Sequence, residues 1–123
     1  LDFSAEWCYY CQVAASESEA FMDNYRDDNV VYITIMIEDR YGDSPPSAAI
    51  IDYWVDYFGI TDPVLAGNRE MISSSPTEGW PVSAWPTFFV IDREMILREN
   101  IRGYSASGLM TTIDNLLVEE INH

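Results

Sequence analysis

The chain has 123 residues, 48% of them hydrophobic, with 21 acidic side chains against six arginines and no lysine, a net charge of −15. That length suits one domain able to bury roughly two-thirds of its unfolded surface, and the apolar content argues against a disordered chain. The charge disfavours nucleic acid and anionic membrane, both polyanions. It fits a basic protein partner found by electrostatic steering or, more simply, a solubilising surface.

No apolar run approaches the length of about 18 residues that a membrane-spanning helix needs, and no signal peptide is visible. The first element, "LDFSA" (1–5), predicts a short buried strand. It opens at Leu1 without an initiator methionine, so the single domain over 1–123 is expected to lack upstream sequence. A helix is expected from Cys8 to about Tyr25, with Val13, Ala14, Ala20, Phe21 and Tyr25 on its apolar side. "RDDN" (26–29) reads as a turn. "VVYITIMIE" (30–38), rich in β-branched residues, reads as a strand covered on both faces.

Loop residues fill 39–46. Ser44 or Ser47 can cap a helix over about 47–58, which carries Ile51, Trp54, Val55 and Phe58 at helical spacing and ends at Gly59. "DPVLAG" (62–67) offers a short strand, and 68–84 reads as a polar loop. "PTFFVID" (86–92) is a buried strand, and 96–104 returns antiparallel to it. Ser105 or Ser107 then caps a helix to about Ile121, lined by Leu109, Ile113, Leu116 and Leu117. A right-handed crossover makes the first two strands parallel neighbours. The expected architecture is α/β: a mixed four-stranded sheet in the order 30–38, 1–5, 86–92, 96–102, with helices on both faces. In that order 30–38 is an edge, prone to pairing with another chain.

The two cysteines of the chain lie in "AEWCYYCQ" (5–12). A thiolate, not a thiol, attacks a disulfide. Cys8 at a helix start meets unpaired N–H groups and the positive end of the helix dipole, so it is read as an exposed nucleophile. Cys11 falls on the same turn and is read as the resolving thiol. Zinc is the first alternative, but it wants four ligands, and the chain has no third cysteine and a single histidine, His123. An inert disulfide is the second, although so small a loop constrains little of the unfolded chain. No glycine-rich phosphate loop, Ser-His-Asp set or haem CxxCH is present; Gln12 follows Cys11.

"LDFSAEWCYYC" resembles the thioredoxin superfamily, whose pattern is roughly [VL]-D-F-[WS]-A-x-W-C-x-x-C. "WPTFFVID" is similar to the element in which a cis-proline opens the next strand and faces the cysteines. "IRGYS" is similar to the glycine-containing approach to the last helix. The intervening 39–85, with a helix and "DPVLAG", looks like the TlpA/ResA-type branch, which usually has a glycine where Glu94 or Met95 stands here. The resemblance implies a thioredoxin-like fold without its usual N-terminal strand and with an inserted helix near 47–58. It also implies a thiol–disulfide oxidoreductase, a reductase rather than an oxidant, that exchanges disulfides with protein substrates and a redox partner protein and needs no bound cofactor. Branch members are mostly extracytoplasmic, periplasmic or membrane-tethered.

The resemblance also assigns roles. Asp2 matches a buried acid beneath the cysteines whose raised pKa suits proton exchange with Cys11; the alternative is a solvated carboxylate at the chain's start. Pro86 would be cis after Trp85, letting an extended substrate pair with the Trp85 backbone. Trp7, Tyr9, Tyr10 and Trp85 would ring the nucleophile and hold peptide. Tyr9 and Tyr10 stand where thioredoxin has Gly-Pro, which leaves the redox potential open. Glu6 and Glu38 are expected to be solvated, and Trp54, Trp80, Phe88 and Phe89 to pack. A non-catalytic thioredoxin-like peptide- or partner-binding module is the alternative function.

Overall fold

The structure, a computed structural model, describes residues 1–73 and 78–121. His123 and the middle of the polar loop, 74–77, lie outside the described residues. The chain builds β1 (Asp2–Ala5), α1 (Tyr9–Met22), β2 (Thr34–Glu38), α2 (Ala48–Phe58) and β3 (Val64–Ala66). After a 3-10 turn at Arg69–Met71 come β4 (Ile72–Ser73), β5 (Trp80–Pro81), β6 (Thr87–Ile91), β7 (Leu97–Arg102) and α3 (Ala106–Ile121). The fold is α/β, a mixed five-stranded sheet with three helices.

The sheet order is β3-β2-β1-β6-β7. β1 runs parallel to β2, pairing Asp2 with Thr34 and Ser4 with Met36, and antiparallel to β6. The order expected from sequence holds for four of these strands, but β2 is not an edge. β3 lies parallel along it, with Leu65 opposite Ile35, and two flanking bonds fix it: Thr34 N–H to the Pro63 carbonyl at 3.0 Å and Gly67 N–H to the Met36 carbonyl at 2.8 Å. The segment 62–67 therefore covers the outer side of β2, and the expected free edge is corrected.

A second correction concerns the faces. Strand side chains alternate, which puts Met36 and Phe88 on one face and Phe3, Ile35, Ile37 and Phe89 on the other. Met36 packs with Ala15 of α1 and Trp54 of α2, while Phe88 packs with Ala14 and Phe21 of α1 and Leu109 and Ile113 of α3. All three helices share that face. The other face is covered by residues of 71–73 and 80–85: Val82 is buried with Phe3, Ile35, Ile37 and Phe89, and Met71, Ile72 and Trp80 pack against them. That segment is more than a polar loop, since β4 and β5 pair in it as a small parallel ladder.

Helix ends follow local chemistry. Ser47 Oγ accepts the Ile50 N–H at 3.3 Å, and Gly59 closes α2 in the left-handed region at φ 64°. Ser105 Oγ accepts the Gly108 N–H at 3.1 Å at the start of α3. The buried side of α1 is Cys11, Ala14, Ala15, Ser18, Phe21 and Met22, whereas Ala20 faces out. Ser18 hides its hydroxyl by donating to the Ala15 carbonyl at 2.9 Å, so a polar residue occupies the helix's inner face. No helix among the described residues is long and apolar enough to cross a membrane.

Candidate active site

β1 delivers the chain to α1 through Glu6 and Trp7, and Cys8 is the residue that caps the helix. Its backbone is extended (φ −83°, ψ 119°), and its sulfur accepts the Cys11 N–H at 3.2 Å. Both cysteines are free thiols. The Cys8 pKa is lowered to about 7, chiefly because the Cys11 thiol hydrogen-bonds to it. Backbone bonds from Cys11 and Tyr10 add to the effect, while burial and the Asp2 charge oppose it. Burial pushes the Cys11 thiol far up, and its bond to Cys8 adds to that rise. The pair is thus polarised: Cys8 is the sulfur that carries charge near neutral pH, and Cys11 keeps its proton.

Cys8 is not the exposed nucleophile expected from sequence. It is 4% exposed and packs with Ala5, Cys11, Ala15, Met36, Trp54 and Ile60, with Trp85 against the same cluster. Trp54 of α2 and Ile60 just after it belong to the same buried cluster as the sulfur. The aromatic residues beside Cys8 are the exposed ones: Tyr9 is 67% and Tyr10 60% exposed, their rings meeting edge to face, and Trp7 is partly exposed and meets Trp85 edge to face at 5.9 Å. The Trp85–Pro86 peptide is cis, and Pro86 is buried.

Beneath the cysteines, Asp2 is buried at 2% exposure, not solvated. Ser4 donates to its Oδ1 at 2.6 Å and Tyr32 to its Oδ2 at 2.5 Å. Burial raises the Asp2 pKa, and those two bonds offset part of the rise. Ser4 follows Asp2 on the same face of β1 and opposes part of the burial-driven rise in the Cys11 pKa.

Glu38 and Glu6 correct a further expectation, because both carboxylates are buried. Glu38 ends β2 beside Ala5. It accepts the Trp7 indole N–H at 3.2 Å and the Arg69 guanidinium at 3.0 Å. Glu6 faces Arg40 at 3.7 Å. These acids are enclosed because the 39–45 and 68–71 segments each bring an arginine over the strand ends. Trp54, Trp80, Phe88 and Phe89 pack inside, Trp80 and Phe89 within 4.9 Å of each other.

Ser4, Tyr32 and Arg69 belong to this site but were not singled out from sequence. Period-two alternation from Asp2 would have found Ser4; nothing local marks Tyr32 or Arg69. Among the described residues no group of three or more His, Cys, Asp or Glu side chains is placed to hold a metal ion. A scan against protein-family models finds no match, and no curated protein matches the sequence significantly.

Proposed function

We propose that this chain is a thioredoxin-like thiol–disulfide oxidoreductase, nearest in type to the TlpA/ResA-type proteins, and that it acts as a reductase of protein disulfides. The polarised cysteine pair carries the reading. A nucleophile with a pKa of about 7 matches the range of thioredoxin-type thiols and lies well above that of the strongest oxidants. The mixed α/β sheet, with the pair at the β1–α1 junction, supports the same placement.

In the proposed reaction the Cys8 thiolate attacks one sulfur of a substrate disulfide. That bond breaks, the other substrate sulfur leaves with the electron pair and takes a proton, and a mixed disulfide remains on Cys8. Cys11, once deprotonated, attacks Cys8 Sγ and expels the second substrate thiolate. Two electrons pass to the substrate, and a dithiol partner protein must reduce the Cys8–Cys11 disulfide. Trp7, Tyr9, Tyr10 and Trp85 would hold the peptide flanking the substrate sulfur. An extracytoplasmic site of action, periplasmic or membrane-tethered, belongs to this proposal, as does a basic protein among the clients of so acidic a chain.

One observation favours a second reading: Cys8 is buried while Tyr9 and Tyr10 are exposed, as suits a module that binds peptide and leaves its thiols idle. Covalent trapping separates the two. With a disulfide-bonded client protein, Cys11→Ser should accumulate a mixed disulfide through Cys8, and Cys8→Ser should accumulate none. Equal, reductant-insensitive capture by both variants would establish the binding module instead.

A further inference from the structure

Glu38 is a carboxylate enclosed at the end of β2 with two different donors on it. Trp7 gives its indole N–H to Oε1 at 3.2 Å. Arg69 gives its Nε–H to Oε2 at 3.0 Å and reaches Oε1 with Nη2 at 3.4 Å. The guanidinium thus meets the carboxylate with two nitrogens, which fixes the plane of the acid as well as its place. Both partners stand on anchored backbone. The Glu38 carbonyl accepts the Glu6 N–H at 2.9 Å, tying the strand end to the turn that carries Trp7. Arg69 lies on the 3-10 turn after β3, where Asn68 Oδ1 accepts the Glu70 N–H at 2.8 Å and Met71 packs against the core.

The hold on Trp7 depends on Arg69. The Glu38 side chain is buried, and Arg69, itself largely exposed, is the cation paired with it. Without the guanidinium a buried charge would be left facing a neutral indole, a costly arrangement. A cleft of about 100 Å³ bounded by Asp43, Ser44 and Arg69 lies against Glu38, so the carboxylate has room to turn away and release the indole. Trp7 in turn meets Trp85, the residue before the cis-proline, edge to face at 5.9 Å, and part of its ring stays open to solvent.

We propose that Arg69 is a positioning residue for client capture: through Glu38 it fixes Trp7 against Trp85, so that this wall of the peptide site is formed before a client arrives. This rests on the redox reading above. A peptide that meets a fixed indole gives up less on binding than one that must first order it, and the difference is read as affinity. In this role Arg69 acts on capture and leaves the sulfur exchange to Cys8. The segment after β3 thereby gains a part in the site that its distance along the chain conceals.

The test uses the reduced protein and two neutral disulfides that release the same chromophore: 2,2′-dithiodipyridine, and a short uncharged cysteine peptide carrying one thiopyridyl group. The Cys8 thiolate attacks the peptide sulfur, the S–S bond breaks, and thiopyridone leaves with the electron pair, followed by stopped-flow absorbance. The unaltered protein should saturate with the peptide probe. Arg69→Gln should raise the half-saturating peptide concentration by roughly 2- to 10-fold, the range that ordering one interface side chain costs. It should change the limiting rate and the dithiodipyridine rate by less. Arg69→Lys, which keeps the charge but not the two-nitrogen grip, should fall between. In nitrogen-15 NMR spectra Arg69→Gln should move the Trp7 indole N–H, assigned with Trp7→Phe, more than those of the other three tryptophans, and speed its exchange with water. An unaltered protein slow with both probes would overturn the redox reading, and this proposal with it. Fast release with an unmoved half-saturation or an unmoved Trp7 indole in Arg69→Gln would overturn the role of Arg69 alone. So would fast release without saturation by the peptide, or a loss shared equally by peptide and small disulfide. Should Arg69→Gln unfold, Arg69→Lys decides by the same criteria.

Discussion

Cys11 donates its backbone N–H to the sulfur of Cys8, 3.2 Å away across the first turn of α1. The Cys11 thiol most of all, then that bond and the Tyr10 N–H, lower the Cys8 pKa to about 7 against the opposing effect of burial. Iodoacetamide labelling of the reduced protein should therefore modify Cys8 alone at neutral pH. The rate should rise with pH to a plateau about a midpoint near 7. Mass spectrometry of the labelled peptides reads both the site and the midpoint. Labelling of Cys11 first, or a midpoint at the ordinary thiol value, would contradict the polarised pair.

Asp2 gives a stability prediction with a definite sign. Its folded-state pKa is raised, mainly by burial. The folded protein therefore holds this proton to higher pH than the unfolded chain does. The corresponding stability is fully present below the unfolded value of 3.8 and is lost as pH rises through the folded value. Asp2→Asn removes the buried charge. Urea unfolding across pH should show the variant gaining on the parent protein as pH rises through that window, with a flatter profile. An unchanged profile would mean that Asp2 ionises as freely when folded as when unfolded.

Gly67 tests how β3 is held against β2. A Cβ there would lie 2.7 Å from Ile35 Cγ2, 3.0 Å from Ile37 Cδ1 and 3.0 Å from Met71 Sδ. Ile35 and Ile37 are core side chains of β2, so Gly67→Ala should destabilise by about 1–3 kcal/mol through overpacking, measured by urea unfolding. A neutral result would show that this junction yields at little cost.

Met95 sits in the β6–β7 turn at φ 64°, a region that favours glycine, and it is 80% exposed. A non-glycine residue there gives up about 1–2 kcal/mol, and glycine's extra chain entropy offsets roughly 0.5–1 kcal/mol of that. Met95→Gly should therefore raise stability by about 0.5–1 kcal/mol, a gain readable as a higher urea midpoint. A loss would mean that the exposed methionine makes contacts worth more than the backbone strain.

Much of this architecture is legible in the residues. Period-two and period-3.6 patterns place β1, α1, β2, α2, β6, β7 and α3, and Ser47, Gly59 and Ser105 mark helix ends because each has one clear local job. What the sequence conceals is tertiary. The segment 62–67 gains its place as a strand only by meeting β2, and nothing local says which side of the sheet α2 takes. The candidate site divides along the same line. Cys8 and Cys11 are contiguous and identify themselves. Tyr32 and Arg69 reach Asp2 and Glu38 from distant segments, and their roles exist only in three dimensions. Glu6 and Glu38 read as surface acids because their covering arginines lie elsewhere in the chain. Cys8 reads as exposed because Trp54, packed near it, arrives 46 positions later.

The most direct measurement of the central claim is equilibration of the folded protein with glutathione redox buffers, counting free thiols at Cys8 and Cys11 by quantitative alkylation. A working reductase pair should interconvert reversibly between dithiol and disulfide as one two-electron step, near the thioredoxin poise of roughly −270 mV. Two free thiols persisting at every oxidising poise, or a disulfide that forms only once the protein unfolds, would contradict the account.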